Sequence, residues 1–150
     1  MDSDGQMSAG TDRVAPDLQS SLLCDDVRQE SNGKFMLIGL FDLIGVPKYP
    51  AMFHRLCVVN RWCCGAGKFH QHSRILSPDG TTVIVEGKDV EIRLPDSEAT
   101  ATSVEIFMNV QFAVEGTYWI EVLLDGDLKL RYPLKAATVE HKSGQGTQTA

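Results

Sequence analysis

The sequence lacks the features of several functional classes. None of its apolar runs approaches the roughly 20 residues that cross a bilayer, and the acidic start has no basic segment followed by an apolar stretch, as a secretory signal has. Cationic side chains are scarce, with 14 Lys and Arg against 20 Asp and Glu, and the formal net charge of -6 opposes attraction to phosphate backbones. We therefore expect a cytoplasmic protein that binds neither membranes nor nucleic acid.

Motifs that carry chemistry are equally scarce. The glycine-containing stretch 65–68 is too short for a phosphate-binding loop and leads into a predicted strand. The cysteines form no Cys-x-x-Cys pair, and the adjacent Cys63 and Cys64 would point to opposite faces of a strand. Aromatic residues make up 7% of the chain, which is no enrichment for a sugar-binding platform. These absences favour a protein that is not an enzyme and has no cofactor.

Three Xaa-Gly pairs are the strongest signals that the sequence does contain: Asn32-Gly33, Asp79-Gly80 and Asp125-Gly126. Each lies between stretches that alternate apolar and polar residues, and two-residue hairpin loops favour such pairs because they tolerate positive φ. With 43% hydrophobic and 23% charged residues, the chain can also form a core. The pattern predicts an all-β fold, a single antiparallel Greek-key β-sandwich of the immunoglobulin-like or C2-like kind.

Composition divides the chain into a folded centre and two tails. Residues 1–16 and 140–150 are polar and rich in small side chains, so we predict that they are disordered and that the sandwich occupies residues 17–139. A helical turn is conceivable only near residues 97–102. The alternation predicts strands at residues 20–29, 34–42, 53–63, 68–76, 82–86, 89–94, 103–113, 117–124 and 128–135.

Two of these strands show the expected core most clearly. The strand before the Asp125-Gly126 turn has one apolar face, formed by Tyr118, Ile120, Val122 and Leu124. In residues 103–113 the alternation predicts a core face formed by Val104, Ile106, Met108, Val110 and Phe112. Phe107 falls on the opposite, polar face, where an aromatic side chain either seals a sheet edge or marks a contact surface.

Candidate interaction residues come from a cluster of charges. Asp25, Asp26 and Arg28 are the most concentrated charges of the predicted folded part. They form either a solvated edge with structural ion pairs or a functional surface. Together with Phe107 they are our candidate interaction residues.

Candidate metal ligands are His70 and His72, which lie two residues apart on a predicted strand and so project from one face. A third ligand would have to come from a neighbouring strand, for example Cys57. A cysteine nucleophile activated by a nearby histidine is the related catalytic alternative. Because Phe69 and Ile75 supply the natural core residues of that strand, a solvated outer face is the simpler interpretation of the histidines.

Several short motifs are spread over the predicted folded part: residues 22–28 (LLCDDVR), Gly33-Lys34, residues 37–40 (LIGL), Pro50, Gly67, residues 77–80 (SPDG) and residues 116–122 (GTYWIEV). In these motifs the chain resembles a family of small uncharacterised bacterial proteins. The resemblance implies a Greek-key β-sandwich and a bacterial source but no reaction, since these motifs are structural. The last strands are also similar to the closing hairpin of immunoglobulin-like domains.

The function that these patterns favour is a non-catalytic interaction or structural module. An exposed strand edge can pair with another chain through backbone hydrogen bonds, so we expect a protein partner or a homodimer formed through a strand edge. One alternative is a metal- or thiol-dependent enzyme that uses His70, His72 and Cys57. A second alternative is a sandwich that binds a carbohydrate or another small ligand.

Overall fold

A computed structural model describes residues 13–140, and the strands in this range form two sheets that pack face to face. No helix occurs among the described residues: where a helical turn was predicted, near residues 97–102, residues 97 and 98 form a turn and a strand begins at Thr100. The predicted all-β, two-sheet fold is confirmed. In chain order the strands are β1 Asp17–Gln29, β2 Phe35–Leu40, β3 Leu43–Val46, β4 Ala51–Cys63, β5 Gly67–Leu76, β6 Val83–Glu86, β7 Val90–Leu94, β8 Thr100–Phe112, β9 Gly116–Leu124 and β10 Asp127–Thr138.

The two sheets differ in size and in their edges. The larger sheet has the order β3-β10-β9-β5-β6, and β7 also pairs with β5. The smaller sheet has the order β2-β1-β4-β8, so β2 and β8 are its edge strands. Neighbouring strands are antiparallel except for β3 and β10, which are parallel. The core lies between the sheets and contains large side chains from both, including Leu56, Phe112, Ile75 and Ile120.

All three predicted hairpin turns are present. Gly33 and Gly80 have φ values of 92° and 78°, and the last hairpin turns through Asp125 at 49° and Gly126 at 85°. These values lie in the left-handed region, which glycine enters freely and aspartate enters more readily than most residues. The turn chemistry in the sequence therefore specifies the connections β1–β2, β5–β6 and β9–β10 directly.

Strand β3 and the N-terminal bridge were not predicted. The four residues of β3 pair with the far end of β10, where Leu43 lies opposite Lys135. Val14 and Ala66 exchange two backbone hydrogen bonds of 2.8 and 2.9 Å, so residues 13–16, which were assigned to the tail, contact the sandwich. Both pairings are too short to produce a detectable alternation. Residues 1–12 and 141–150, the remainder of the predicted tails, lie outside the described residues.

The core prediction for the first part of β8 was wrong. Ile106 and Met108 are 50% and 54% exposed, whereas Phe107 is only 5% exposed and belongs to the core between the sheets. Val104 is half-buried and packs against a separate cluster on the outer side of the smaller sheet. In this part of the strand the more polar face is therefore the inner one.

At Asn109 the set of alternate residues of β8 that points into the core changes. Its φ of 54° is left-handed rather than extended, while the register between β8 and β4 is the same on both sides of it, with Arg55 opposite Met108 and Phe53 opposite Val110. After it, Val110 and Phe112 are 3% and 0% exposed, as predicted. The partner strand changes face beside it, since Phe53 and Leu56, three positions apart, both pack in the core. Simple period-two counting cannot detect such an irregularity.

Candidate interaction surface

The charge cluster near the end of β1 is an ion-paired surface. Asp26 accepts a hydrogen bond from Arg28 Nε at 3.1 Å and forms an ion pair with Arg55 at 2.9 Å. The hydrogen bond from the Arg28 side chain, helped by the Val27 amide and the Arg55 charge, lowers the pKa of Asp26. Asp25 is exposed, and its side chain occupies the space beside Gly39 where a Cβ would otherwise lie. The structure thus brings Asp26 and Arg28 together and adds Arg55.

Phe107 does not belong to that surface. It lies on β8, two strands away from β1 in the smaller sheet, and its ring is buried in the core. The prediction that Phe107 lies on the polar outer face is therefore wrong. The reason is the change of face at Asn109, since a shift of one position moves every side chain of a strand to the other side.

The candidate metal ligands lie on opposite sides of the sandwich. His70 and His72 project from the outer face of the larger sheet, whereas Cys57 packs with Cys24 on the outer side of the smaller one. Both ring nitrogens of His72 already face carboxylates, Glu86 at 2.9 Å and Asp89 at 3.3 Å. Within residues 13–140, no group of three or more His, Cys, Asp or Glu side chains is placed to hold a metal ion.

The thiols and aromatic side chains are also poorly placed for chemistry or sugar binding. Burial raises the pKa of Cys24 to about 11, and the hydrogen bond with Cys64 raises the pKa of Cys63, so both favour the neutral thiol over the nucleophilic thiolate. Trp62 and Tyr118, two of the large aromatic side chains, are 0% and 1% exposed. Their faces are covered by the core.

Apart from Glu121, the buried polar side chains of the described residues lie together between the sheets. Glu105 on β8 is 6% exposed, and its Oε2 accepts hydrogen bonds from Ser73 Oγ at 2.6 Å, Gln71 Nε2 at 3.0 Å and Asn60 Nδ2 at 3.4 Å. Its Oε1 accepts one hydrogen bond, from the Ser73 amide at 3.0 Å. All of these donors are neutral. No Lys, Arg or His of the described chain forms an ion pair with Glu105.

Two further atoms of this region have unused hydrogen-bonding capacity. Asn60 Oδ1 and Ser103 Oγ are buried and have no hydrogen-bond partner among the described residues, although most buried polar atoms have one. The two residues lie opposite each other on β4 and β8, and Ser103 is two residues from Glu105 on the same face. Sequence reasoning missed the cluster because a polar residue at every second position is also the pattern of a solvent-exposed face.

A cavity of about 350 Å³ opens beside Glu105, between β8 and the loop that joins β6 to β7. A Cβ at residue 87 would overlap Glu105 Oε1, so only glycine permits the close approach of this loop to the carboxylate. The Gly87 amide donates to the Ser73 carbonyl at 2.8 Å, which holds the loop in place. The lining residues are Glu86, Gly87, Lys88, Val90, Val104, Glu105, Ile106 and Phe107.

Strand β8 is a long edge. It pairs with β4 along its whole length, from Phe112 opposite Ala51 to Thr100 opposite Cys63, and the smaller sheet ends there. In an antiparallel strand, alternate residues direct their N–H and C=O groups away from the partner. The free side of β8, together with the cavity beside it, is called the β8 edge below.

A family model described as a family of unknown function, DUF6941, matches residues 19–137. The chain belongs to this family. The match begins within β1 and ends within β10, so the matched region contains both sheets and the β8 edge. It agrees with the predicted resemblance to an uncharacterised family of sandwich proteins. No curated protein matches the chain.

The DUF6941 sandwich also has an apolar surface next to the β8 edge. Across the outer side of the smaller sheet, cross-strand neighbours form one row of Leu22, Val59 and Val104 and another of Leu40, Cys24, Cys57 and Ile106. Leu22, Leu40 and Ile106 are 42%, 58% and 50% exposed. Among residues 13–140, no helix could span a membrane. Together, the β8 edge and this apolar surface offer unpaired backbone groups, apolar contacts and a buried hydrogen-bond acceptor, Glu105.

Proposed function

We propose that this DUF6941 protein is a non-catalytic interaction module that binds an extended segment of a protein partner along the β8 edge. The observation that carries the proposal is the length of this edge, 13 residues. The other edge strands are shorter, with six residues in β2, four each in β3 and β6, and five in β7. A partner segment could therefore form many more backbone hydrogen bonds at β8 than at any of these.

The composition of β8 supports the same role. Proteins usually shield a free edge with lysine, proline, a short strand or a covering element, because an open edge pairs with other chains. Residues 100–112 contain no Lys, Arg or Pro. Its one irregularity, Asn109, lies near the C-terminal end, so an uninterrupted stretch remains before it.

Side chains beside the edge would give the pairing its selectivity. In strand addition, backbone hydrogen bonds provide affinity while alternate side chains enter pockets or contact the surface. On the outer side, the exposed Ile106 and Met108 offer apolar contacts, and on the inner side the cavity beside Glu105 is open to a side chain. We further propose that the module acts in the bacterial cytoplasm, which its acidic composition and its resemblance to small bacterial proteins support.

Site-specific cross-linking tests this proposal. We would replace Ile106 with the photoreactive p-benzoylphenylalanine, and in a matched control replace Leu128, which is equally exposed on β10. In cells of the native host, irradiation should give a discrete adduct from position 106 and none from position 128. Mass spectrometry of the adduct would identify the cross-linked segment. The same yield at both positions, or no adduct at position 106, would overturn the proposal.

A further inference from the structure

Two buried glutamates of this chain have very different neighbours. Glu121 on β9 is 4% exposed, and both of its cross-strand neighbours are arginines: Arg74 on β5, at 2.8 Å, and Arg131 on β10, at 3.5 Å. Glu105 on β8 has a cross-strand neighbour on one side only, Val58 on β4. On its other side the sheet ends.

The open side of Glu105 has room for a cation. Neutral groups donate all four of its hydrogen bonds, and a cationic donor would add a stronger, charge-assisted one. Glu105 Oε1 accepts a single hydrogen bond, so it can accept another from the cavity. Lys88 is the cation among the lining residues, but its side chain is exposed and forms no ion pair with Glu105.

We propose that the segment bound at the β8 edge carries a lysine or arginine directly opposite Glu105, and that its cationic group enters the cavity and pairs with Glu105 Oε1. This inference rests on the proposed function and deepens it. Residues directly opposite in an antiparallel pair have Cβ atoms about 4.5–5.5 Å apart and point to the same face, so that residue projects toward the cavity. Val90, Val104 and Phe107 supply apolar walls for its aliphatic stem.

The chemistry of β8 argues against a second copy in this register. Residues 100–112 contain no Lys or Arg, so pairing β8 with another β8 cannot supply the cation. The expected occupant is therefore a basic extended segment of another protein. It also complements the net charge of -6 of the whole chain.

The binding chemistry can be tested on the wild-type protein with n-butylammonium, which imitates a lysine side chain. In two-dimensional amide NMR, the Ser73 and Gly87 signals should shift saturably at millimolar n-butylammonium. The uncharged analogue 1-butanol at the same concentrations, in matched salt, should leave them in place. Absence of a saturable n-butylammonium effect, or an equal effect of 1-butanol, would overturn the inference.

Variants locate the binding group. Glu105→Gln should weaken n-butylammonium binding about tenfold, since a charge-assisted hydrogen bond is lost, whereas Glu121→Gln should leave it unchanged. If Glu105→Gln does not fold, Val90→Phe, which fills part of the cavity, should weaken binding similarly. Unchanged binding in the folded variant tested would count against Glu105.

The cross-linking experiment separates this inference from the proposed function. A partner segment with Lys or Arg opposite Glu105 supports both. A segment with neither residue there, or a second copy paired through β8, supports the proposed function and overturns the inference. No adduct at position 106 overturns the function itself, whatever the result with n-butylammonium.

Discussion

Strands β8 and β9 have similar sequences but opposite positions in the fold. Each is a long strand with a buried glutamate among apolar residues, Glu105 or Glu121. Strand β9 lies at the centre of the larger sheet, and its glutamate faces outward between Arg74 and Arg131. Strand β8 ends the smaller sheet, and its glutamate faces inward among neutral donors.

The difference shows what the position in a sheet contributes. A central strand has two neighbours, and both can supply a matching charge to the same carboxylate. An edge strand has one, so half of its cross-strand contacts depend on what binds the edge. In this chain the edge strand, and not the central one, therefore combines a buried carboxylate that has no cationic partner with unpaired backbone groups.

The largest expected effect comes from truncating the two glutamates. Glu105→Ala would leave the Ser73 amide, the Ser73 hydroxyl and the Gln71 side-chain amide without their acceptor in the interior, which should lower the free energy of unfolding by about 3–5 kcal/mol. Glu121→Ala should cost less, about 1–2 kcal/mol, because its two arginines are partly exposed and regain water.

Urea denaturation followed by circular dichroism measures both values, with the slope of each transition checked against the wild type. If Glu121→Ala proved the more destabilising of the two, the contrast between a carboxylate with partly exposed partners and one with buried partners would be wrong.

The next largest effect is expected from a pair of substitutions that tests which face of β8 points into the core. Phe107→Ala should lower the free energy of unfolding by about 3–5 kcal/mol, as expected for a truncated core aromatic. Ile106→Ala, at an exposed position next to it, should change it by less than about 1 kcal/mol. Thermal and urea unfolding of the pair measure the difference. A larger loss of unfolding free energy for Ile106→Ala than for Phe107→Ala would show that the face predicted by simple alternation is the inner one.

The smallest effect concerns the turn that follows β9. Burial raises the pKa of Asp125, but hydrogen bonds from the His70 amide at 2.9 Å and from the Arg13 side chain outweigh it, so the net pKa lies below its usual 3.8. A lowered pKa means that the carboxylate stabilises the fold above about pH 4 and that this contribution is lost progressively as the pH falls below that value.

Asp125→Asn should accordingly lower the urea midpoint at about pH 7, and its difference from the wild type should shrink towards about pH 2. Asp127→Asn is the matched control, since it makes the same change of charge two residues away. A difference that grew on acidification would show that the sign of the pKa shift is wrong.

The sequence predicted β9 better than β8 for a physical reason. In β9 Tyr118, Ile120 and Val122 are buried as the alternation indicated, because no irregularity interrupts the inner face over these residues. In β8 the left-handed Asn109 reverses the faces, and asparagine also adopts ordinary extended backbone, so its presence alone gives no warning. The candidate site was missed for this reason, since Glu105 shares the face of Phe107, which the alternation assigned to the polar outer side.

Local chemistry determined the turns, the strand composition and hence the all-β class, because Xaa-Gly loops and period-two alternation act over a few neighbouring residues. Tertiary structure alone decided that β3 pairs with β10, that β8 ends a sheet, and that the side chains of Asn60, Gln71, Ser73 and Glu105 meet. These features depend on contacts between residues far apart in the chain. Such contacts form only when both sheets are assembled, and no local pattern records them.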